Sequence, residues 1–279
     1  MSECHSNDIK KDSDITLFVK AGVDGVRYGS CPFCQRLFML LIVKGQLLPE
    51  LRFKVVTVNL NRAPTEFRRN CLRRVPALLD GDVASDNVDD ILQYLEDYYP
   101  TPQLDYDNLE ALTACNDLFQ KFCFYIKEVS KDANSLLSEL QKLNAYLQSR
   151  GTSYLCGDTL TQLDIEVLPK LHNIRIAGRY LKDFVIPSHL MALWQYLKRA
   201  YQCPAFAQSC PPDQEIILHW ADKPETQNLT TEQNAQLAKE KPKHSFDIPE
   251  WTVSPHTNDW QILSQWMKIK YKLVIKTVK

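Results

Sequence analysis

A Cys-Pro-Phe-Cys segment at residues 31–34 joins a predicted strand to a predicted helix. Residues 14–20 have the β-branched and aromatic composition of a strand, and a glycine-rich turn follows them. The residues from Pro32 onward are helix formers and nearly all apolar, which predicts a helix buried on most sides. Proline suits the first helical position, where an N–H would have no partner. The segment therefore predicts that Cys31 lies at the start of a buried helix.

Further short elements follow before residue 100. The predicted elements are strands at 53–60 and 75–79, a short strand around 83 and a helix at 88–98. Asp80-Gly81 is a hairpin turn signal between two of these strands. The order strand, helix, strand, strand, strand, helix predicts a small mixed sheet with flanking helices, which is the thioredoxin pattern.

Residues 104–220 carry only helical signals. Predicted helices cover 109–129, 136–147, 161–179, 190–201 and 213–220. Thr161 and Asp164 form a capping-box arrangement, and Pro169 is expected to kink the helix that they begin. The predicted fold class is therefore α/β plus all-α. The predicted organisation is a disordered N-terminus (1–14), a thioredoxin-like domain (15–99), an all-helical domain (100–220) and an extension (221–279) that is polar and solvated, then basic and aromatic.

Composition narrows the classes of function. The formal net charge of −1 gives no bulk attraction to nucleic acid, which we therefore do not expect as a partner. The polar first residues do not resemble a secretory signal, and no apolar run is long enough for a constitutive transmembrane helix. Nine irregularly spaced cysteines favour reduced thiols in the cytoplasm over a disulfide framework.

The position of Cys31 predicts a reactive thiol. Free N–H groups and the helix dipole at a helix N-terminus stabilise a thiolate and lower its pKa. Cys34 lies one turn inside the helix, where it is placed to resolve a mixed disulfide on Cys31. The alternatives are two inert structural cysteines or half of a metal site. A zinc site needs a second Cys/His pair, which His172 and His219 do not supply, so no metal is predicted.

Val75-Pro76 is the second part of the candidate site. A cis peptide bond before this proline would turn the backbone groups of Val75 outward, where a bound peptide can pair with them. An ordinary edge-strand proline is the alternative. Ser85-Asp86-Asn87-Val88 begins the next helix, whose free N–H groups are candidates for binding a carboxylate. Simple N-capping by Ser85 or Asp86 explains the same residues equally well. Cys71 precedes the proline strand and is a candidate for oxidation together with Cys31.

The chain resembles the chloride intracellular channel (CLIC) proteins, relatives of omega-class glutathione transferases. The segments that carry the resemblance are 17–22, 29–39, 44–45, 56–60, 71, 75–76, 157–164, 168–172, 203–206, 210–211 and 215–216. The resemblance implies the glutathione-transferase fold and two activities. The first is glutathione-dependent, glutaredoxin-like thiol–disulfide oxidoreduction. The second is conditional insertion of the soluble monomer into membrane lipids, as an oligomeric anion channel.

The resemblance also assigns roles to residues of this sequence. It implies Cys31 and Cys34 as catalytic residues, glutathione as the cofactor and cytoskeletal proteins as further partners. The implied glutathione-binding residues are Cys31, Phe33, Val75, Pro76, Asp86 and Asn87. The implied membrane segment is 31–51, with Arg36 and Lys44 in the pore. The alternative reading is a non-enzymatic, membrane-inserting chloride channel or a scaffold, in which the thiols only regulate.

Overall fold

The computed structural model describes residues 14–226 and 228–250. The predictions for residues 1–13 and 251–279 lie outside the described residues. The strands are β1 (Ile15–Lys20), β2 (Phe53–Val58), β3 (Ala77–Asp80) and β4 (Val83–Ser85). The helices are α1 (Pro32–Leu47), α2 (Thr65–Arg69), α3 (Val88–Tyr98), α4 (Leu109–Cys115), α5 (Leu118–Ile126), α6 (Asn134–Arg150), α7 (Gln162–Lys182), α8 (Met191–Gln202), α9 (Pro204–Ser209), α10 (Asp213–Ala221) and α11 (Thr231–Lys239).

The four strands form one mixed sheet in the order β2-β1-β3-β4. β1 pairs parallel with β2 and antiparallel with β3, and β3 pairs antiparallel with β4. Alternate residues of β1 serve opposite faces, so Leu17 joins the core shared with α1, and Phe18 packs edge-on against Phe67 of α2. The element order predicted from the sequence for residues 15–98 is confirmed, with α2 as an unpredicted addition.

The apolar helix α1 lies between the sheet and the remaining helices. It packs against β1 on one side and against α7 and α9 on the other. Leu37, Leu40 and Leu41 have at most 1% of their surface exposed. This double burial explains why nearly every position of the helix is apolar, because neither side is left for solvent.

The long helix α7 is the centre of the helical region, and its start is fixed by a buried carboxylate. Asp164 accepts hydrogen bonds from the backbone N–H groups of Leu155 and Thr161, both at 2.9 Å, and from the Tyr196 hydroxyl at 2.8 Å. The Thr161 hydroxyl donates to the same carboxylate at 2.7 Å. The predicted capping box is therefore confirmed, and α7 continues through Pro169 to Lys182.

Two details of the helical region differ from the sequence prediction. The single helix predicted for residues 109–129 is wrong, because α4 ends at Cys115 and α5 begins at Leu118. Asn116 and Asp117 stand at this break, and their short polar side chains compete with the helix for backbone hydrogen bonds. The short helix α9, with Pro204 at its first position, was not predicted.

The polar segment after α10 is packed against the helical region. α11 begins with a capping box between Thr230 and Gln233, and its Leu237 is buried. The prediction of a solvated tail is therefore wrong where α11 packs through Leu237, whereas most other α11 side chains are exposed, as predicted. The reason is that its polar residues are held mainly by hydrogen bonds and ion pairs, which leave no apolar pattern in the sequence. The boundary of the extension at residue 221 stays a prediction.

The strap formed by residues 241–247 carries most of these contacts. Gln214 donates to the Lys241 carbonyl at 2.6 Å, and the Ser245 N–H donates to the Asp213 carboxylate at 3.1 Å. The Arg175 guanidinium pairs with the Asp247 carboxylate at 3.0 Å. The strap is thereby joined to both α10 and α7.

Candidate active site

Cys31 is the N-cap residue of α1. Its backbone is extended, with φ −147° and ψ 108°, and Pro32 occupies the first helical position. Its sulfur accepts a hydrogen bond from the Cys34 N–H at 3.4 Å. Cys31 is half-buried, whereas Cys34 has only 3% of its surface exposed. The N-terminal position of Cys31 predicted from the sequence is confirmed.

The surroundings of the two thiols separate their pKa values. The pKa of Cys31 is lowered to about 7, first by the hydrogen bond from the Cys34 thiol, and burial opposes this effect. The N–H groups of Cys34 and Phe33 and the charge of Lys20 lower it further. Burial, and then the neighbouring Cys31 thiolate, raise the pKa of Cys34 well above its ordinary value. At neutral pH, Cys31 is therefore the thiolate of the pair.

Buried hydrogen bonds hold the chain next to Cys31 against the helical region. The Ser30 hydroxyl donates to the Asn173 side-chain oxygen at 2.9 Å, and the Trp220 indole N–H donates to the same oxygen at 3.0 Å. Ser30 and Asn173 have at most 1% of their surface exposed. The position of the thiol therefore depends on α7 and α10 as well as on its own helix.

A cavity of about 700 Å³ opens beside Cys31. Val75 lines it from the sheet region, and His219 and Lys223 line it from α10 and the turn that follows. Asn234 of α11 also reaches the lining. Cavities of about 300–1,000 Å³ are typical of small-molecule sites, and the volume of this one lies within that range.

The structure brings only part of the predicted glutathione site to this cavity. The Val75–Pro76 bond is cis, as predicted. Val75 lines the cavity, whereas Pro76 is buried behind it. Phe33 is 44% exposed and does not belong to the lining, although it neighbours Cys31 in sequence.

Asp86 and Asn87 are engaged by the backbone around them. The Asp86 carboxylate accepts from the N–H groups of Arg73 and Arg74, at 2.8 and 3.2 Å, and these contacts lower its pKa against the effect of burial. Asn87 is the N-cap of α3 and accepts from the Asp89 N–H at 2.9 Å. Neither side chain lines the cavity beside Cys31. The N-capping predicted for Ser85 or Asp86 is therefore wrong, because Asn87 caps the helix and Asp86 holds the loop that precedes the proline strand.

The comparisons with known proteins agree with this geometry. The CLIC-like N-terminal domain family matches residues 13–102. The chloride intracellular channel exl-1 of Caenorhabditis elegans is 35% identical over 237 residues, which are 84% of this chain and 98% of that protein. This chain belongs to the chloride intracellular channel family.

Solved structures identify the fold in the same way. The CLIC homologue EXC-4 of C. elegans is 27% identical and matches with a TM-score of 0.75, covering 87% of this chain and 96% of that chain. The trimeric glutathione transferase TDR1 of Leishmania is 18% identical, with a TM-score of 0.54 over 74% of this chain and 48% of that chain. At that identity the likeness concerns the fold alone. The predicted glutathione-transferase fold is confirmed.

Arg36 and Lys44, the basic residues predicted to line a pore in this CLIC-family chain, each form an ion pair with a carboxylate. Arg36 bonds the Glu166 carboxylate at 2.9 Å. Lys44 is fully buried, bonds the Glu96 carboxylate at 3.0 Å and donates to the Tyr99 carbonyl at 2.7 Å. Among the described residues, no helix has the length and apolar character needed to span a bilayer.

Cys71 lies apart from the cavity, and the described residues offer no metal site. Cys71 is exposed, with a positive φ of 58°, and does not line the cavity beside Cys31. In residues 14–226 and 228–250, no group of three or more His, Cys, Asp and Glu side chains is arranged to hold a metal ion.

Three residues of the cavity wall were missed by the sequence reasoning. Glu215, His219 and Lys223 follow one another at intervals of four, so they share one face of α10 and its extension. That spacing is visible in the sequence. The sequence does not indicate that this face covers the β1–α1 loop, because the contact joins residues almost two hundred positions apart.

Proposed function

We propose that this CLIC-family protein is a glutathione-dependent thiol–disulfide oxidoreductase with Cys31 as the nucleophile. The observation that carries the proposal is the half-buried Cys31 thiol at the N-cap of α1, whose pKa of about 7 leaves much of it as thiolate at neutral pH. The cavity next to it has room for glutathione. The shared fold with the glutathione transferase TDR1 supports glutathione as the thiol that reacts with Cys31.

The reaction is a pair of thiol–disulfide exchanges. In the first, the Cys31 thiolate attacks the glutathione sulfur of a mixed disulfide R–S–S–G, a bond forms between Cys31 and that sulfur, and R–S⁻ leaves. In the second, a glutathione thiolate attacks the same sulfur, which gives oxidised glutathione and restores the Cys31 thiolate. Each R–S–S–G thus consumes one free glutathione, which leaves as oxidised glutathione together with the glutathione half of the substrate. The R–S⁻ group takes up the proton that this glutathione loses, and no further oxidant or reductant is needed.

Resolution by Cys34 is the slower alternative. Cys34 is buried, and burial and the neighbouring thiolate hold its pKa well above the ordinary value. Its thiol donates to the Cys31 sulfur and its sulfur accepts the Lys20 N–H at 3.4 Å, so it stabilises the nucleophile. We therefore assign Cys34 chiefly to lowering the pKa of Cys31, with internal disulfide formation as a slower route.

Glutathione would bind to the backbone of Val75, because Val75 lines the cavity on the sheet side. An extended peptide pairs with such backbone N–H and C=O groups without help from side chains. Phe33, Pro76, Asp86 and Asn87 remain predicted contributors from the family resemblance, and the contacts described above favour structural roles for the last two.

The test combines mass spectrometry with steady-state kinetics. After treatment with oxidised glutathione, we expect the mixed disulfide at Cys31 in the wild type and in Cys34→Ser. In a coupled assay with glutathione reductase and bis(2-hydroxyethyl) disulfide, Cys31→Ser should be inactive. Cys71→Ser, which changes an exposed thiol outside the cavity, is the matched control. Activity that survives in Cys31→Ser, or a glutathione adduct mainly at other cysteines, would contradict the proposal.

A conditional membrane form is the second proposal, and the channel names of the relatives support it. Insertion of residues 31–51 would have to break the Arg36–Glu166 and Lys44–Glu96 pairs and expose the apolar surface that α1 shares with α7 and α9. An uncompensated Arg or Lys near the bilayer centre costs about 2.5–3.5 kcal/mol. Insertion therefore needs a trigger that loosens these contacts, such as oxidation or low pH, and an oligomer that lets both cations face water.

Liposome recordings test the channel proposal separately from the thiol chemistry. Arg36→Glu and Lys44→Glu should each lower the preference for anions, and Lys54→Glu, a partly exposed lysine outside the segment, should not. Unchanged selectivity in both segment variants would mean that residues 31–51 do not line the conducting path. If Cys31→Ser has normal conductance and the wild type has no turnover, the non-enzymatic reading, with thiols that only regulate, replaces the first proposal.

A further inference from the structure

Two lysines from different parts of the chain face the cavity beside Cys31. Lys20 is the last residue of β1, and Lys223 lies two residues beyond the end of α10. Both line the cavity. Within the described part of the chain, neither forms an ion pair with a carboxylate at 4.0 Å or less. The cavity that holds the reactive thiol therefore also holds two ammonium groups without a carboxylate partner.

The positive charges of Lys20 and Lys223 repel each other. Burial, and next the charge of Lys223, lower the pKa of Lys20. The charges of Cys31, Cys34 and Asp222, which also lies on the cavity wall, raise the pKa of Lys20, but each acts less strongly than the charge of Lys223 lowers it. Like charges in a partly desolvated site repel unless an anion is bound between them. The protein therefore keeps a repulsive pair that an anionic ligand would relieve.

His219 holds Lys20 in place without neutralising it. The Lys20 ammonium donates to Nδ1 of His219 at 2.5 Å. Burial, and then the charges of Lys20 and Lys223, lower the pKa of His219 to about 3, so the ring is neutral and accepts this bond. The ring proton is then on Nε2, which is a further hydrogen-bond donor. A neutral acceptor fixes the ammonium and leaves its charge available to a ligand.

Glu215, a buried acid of the cavity wall, is engaged by the β1–α1 loop. Glu215 accepts from the Val23 N–H at 3.0 Å, and its carboxyl group packs on Gly22, where a Cβ would approach within 2.5 Å. Burial raises the pKa of Glu215, and the charges of Arg27 and Lys20 oppose this effect. The carboxylate of Glu215 thus fixes the β1–α1 loop against α10 instead of closing the lysine pair.

We propose that Lys20, His219 and Lys223 form a subsite that binds a carboxylate of the substrate attacked by Cys31. The subsite deepens the proposed thiol function, on which its use in turnover rests. It selects small anionic disulfides or the carboxylate of glutathione over neutral compounds of the same size. Both the sheet region and the helical region then contribute to the thiol site, because β1 supplies one ammonium group and the segment after α10 supplies the other.

The first test needs no turnover. Cys31 is alkylated with iodoacetate and, separately, with iodoacetamide, reagents of similar size that differ by one negative charge, and the rates at each cysteine are read by peptide mass spectrometry. The ratio of the two rates cancels the thiolate fraction, because both reagents attack the thiolate. We expect the iodoacetate-to-iodoacetamide ratio at Cys31 to fall about threefold to tenfold in Lys223→Met and in Lys20→Met.

The controls lie in the same molecules. Lys239→Met changes an exposed lysine of α11 that does not line the cavity, and should leave the ratio at Cys31 unchanged. The ratio at the exposed Cys71 should stay constant in every variant. An unchanged ratio at Cys31 in Lys223→Met, or an equal fall in Lys239→Met, would overturn the proposal, whatever the outcome of any enzyme assay.

The second test identifies which carboxylate binds. Glutathione-dependent reduction of 3,3′-dithiodipropionate is compared with reduction of bis(2-hydroxyethyl) disulfide, its neutral counterpart. A rise in KM for the anionic disulfide alone in Lys223→Met assigns the subsite to the second substrate. A rise in KM for glutathione with both disulfides assigns it to glutathione. Equal kinetics of Lys223→Met and wild type with both disulfides would overturn the subsite, and absence of turnover in the wild type would overturn the enzymatic proposal alone.

Discussion

Replacement of Lys44 by methionine is expected to destabilise the folded protein strongly. The Lys44 side chain has no exposed surface and bonds Glu96, which retains 18% exposure, and the carbonyl of Tyr99. Removal of one partner from a buried ion pair costs about 3–5 kcal/mol. Glu96 keeps some solvent and a 2.8 Å bond from the Gln162 amide, so we expect the lower end, about 3 kcal/mol.

Urea denaturation followed by tryptophan fluorescence and by circular dichroism measures this cost. With an m value of about 3 kcal/mol/M, the midpoint should fall by about 1 M. Lys54→Met is the matched control, since its ammonium lies 3.9 Å from Glu66 and its side chain is 38% exposed. Exposed pairs of this kind contribute about 0.2–1 kcal/mol.

A double variant separates the unpaired charge from the lost packing. In Lys44→Met/Glu96→Gln the carboxylate charge is gone as well, so we expect recovery of about 1–2 kcal/mol relative to Lys44→Met. If Lys44→Met costs no more than Lys54→Met, or if the double variant is less stable than the single one, the buried pair does not anchor α1 as argued.

Four further predictions follow from the site and its surroundings. The rate of Cys31 alkylation by iodoacetamide should rise with a midpoint near pH 7, and Lys20→Met should move that midpoint upward, because the Lys20 charge lowers the pKa of Cys31; an unmoved midpoint would contradict this. Burial lowers the pKa of His172 and His219 to about 3, so below about pH 6.5 the unfolded chain binds protons that the folded chain does not. Stability should therefore fall as the pH drops toward about 3, by about 1.4 kcal/mol per pH unit per histidine, and His172→Gln should reduce the slope measured by urea titration at several pH values; an identical slope would refute the assignment. Gly22→Ala places a Cβ 2.5 Å from the Glu215 carboxyl group and should cost about 1–3 kcal/mol in urea denaturation, whereas at Gly45 the nearest atom is 3.5 Å away and Gly45→Ala should be neutral or stabilising; equal effects would mean that the loop moves freely. Deletion of residues 222–279 should lower Tm more than deletion of residues 251–279, because only the first removes the strap on Asp213 and Arg175, and equal Tm values would show that the strap carries no stability.

The parts of the fold that were predicted from the sequence are those with local causes. Pro32 at the first helical position, the capping box of Thr161 and Asp164, and the alternation of short strands and turns each act within a few residues. The cis peptide before Pro76 was predicted from the family pattern and not from physical necessity. The N-cap position of Cys31 followed from the same local rules.

The missed features depend on contacts between distant segments. His219 reaches Lys20 because α10 lies against the β1–α1 loop, where Glu215 accepts from the Val23 N–H, and no local rule specifies that contact. The strap was missed for a different reason. It is held by groups such as Asp213 and Arg175, and polar contacts of this kind leave no periodicity for a sequence reading to detect.

Helix α1 has a consequence for how this fold can be divided or recombined. One side of α1 packs against β1 and the other against α7 and α9, so the helix belongs to the sheet region in sequence although the helical region covers one of its sides. A sheet region expressed alone would present that apolar side to water and invite aggregation. Exchange of the sheet region between relatives would therefore succeed only when the facing residues of α7 and α9 are exchanged as well. The helix that begins at the reactive thiol and the residues that cover it should thus change together during evolution.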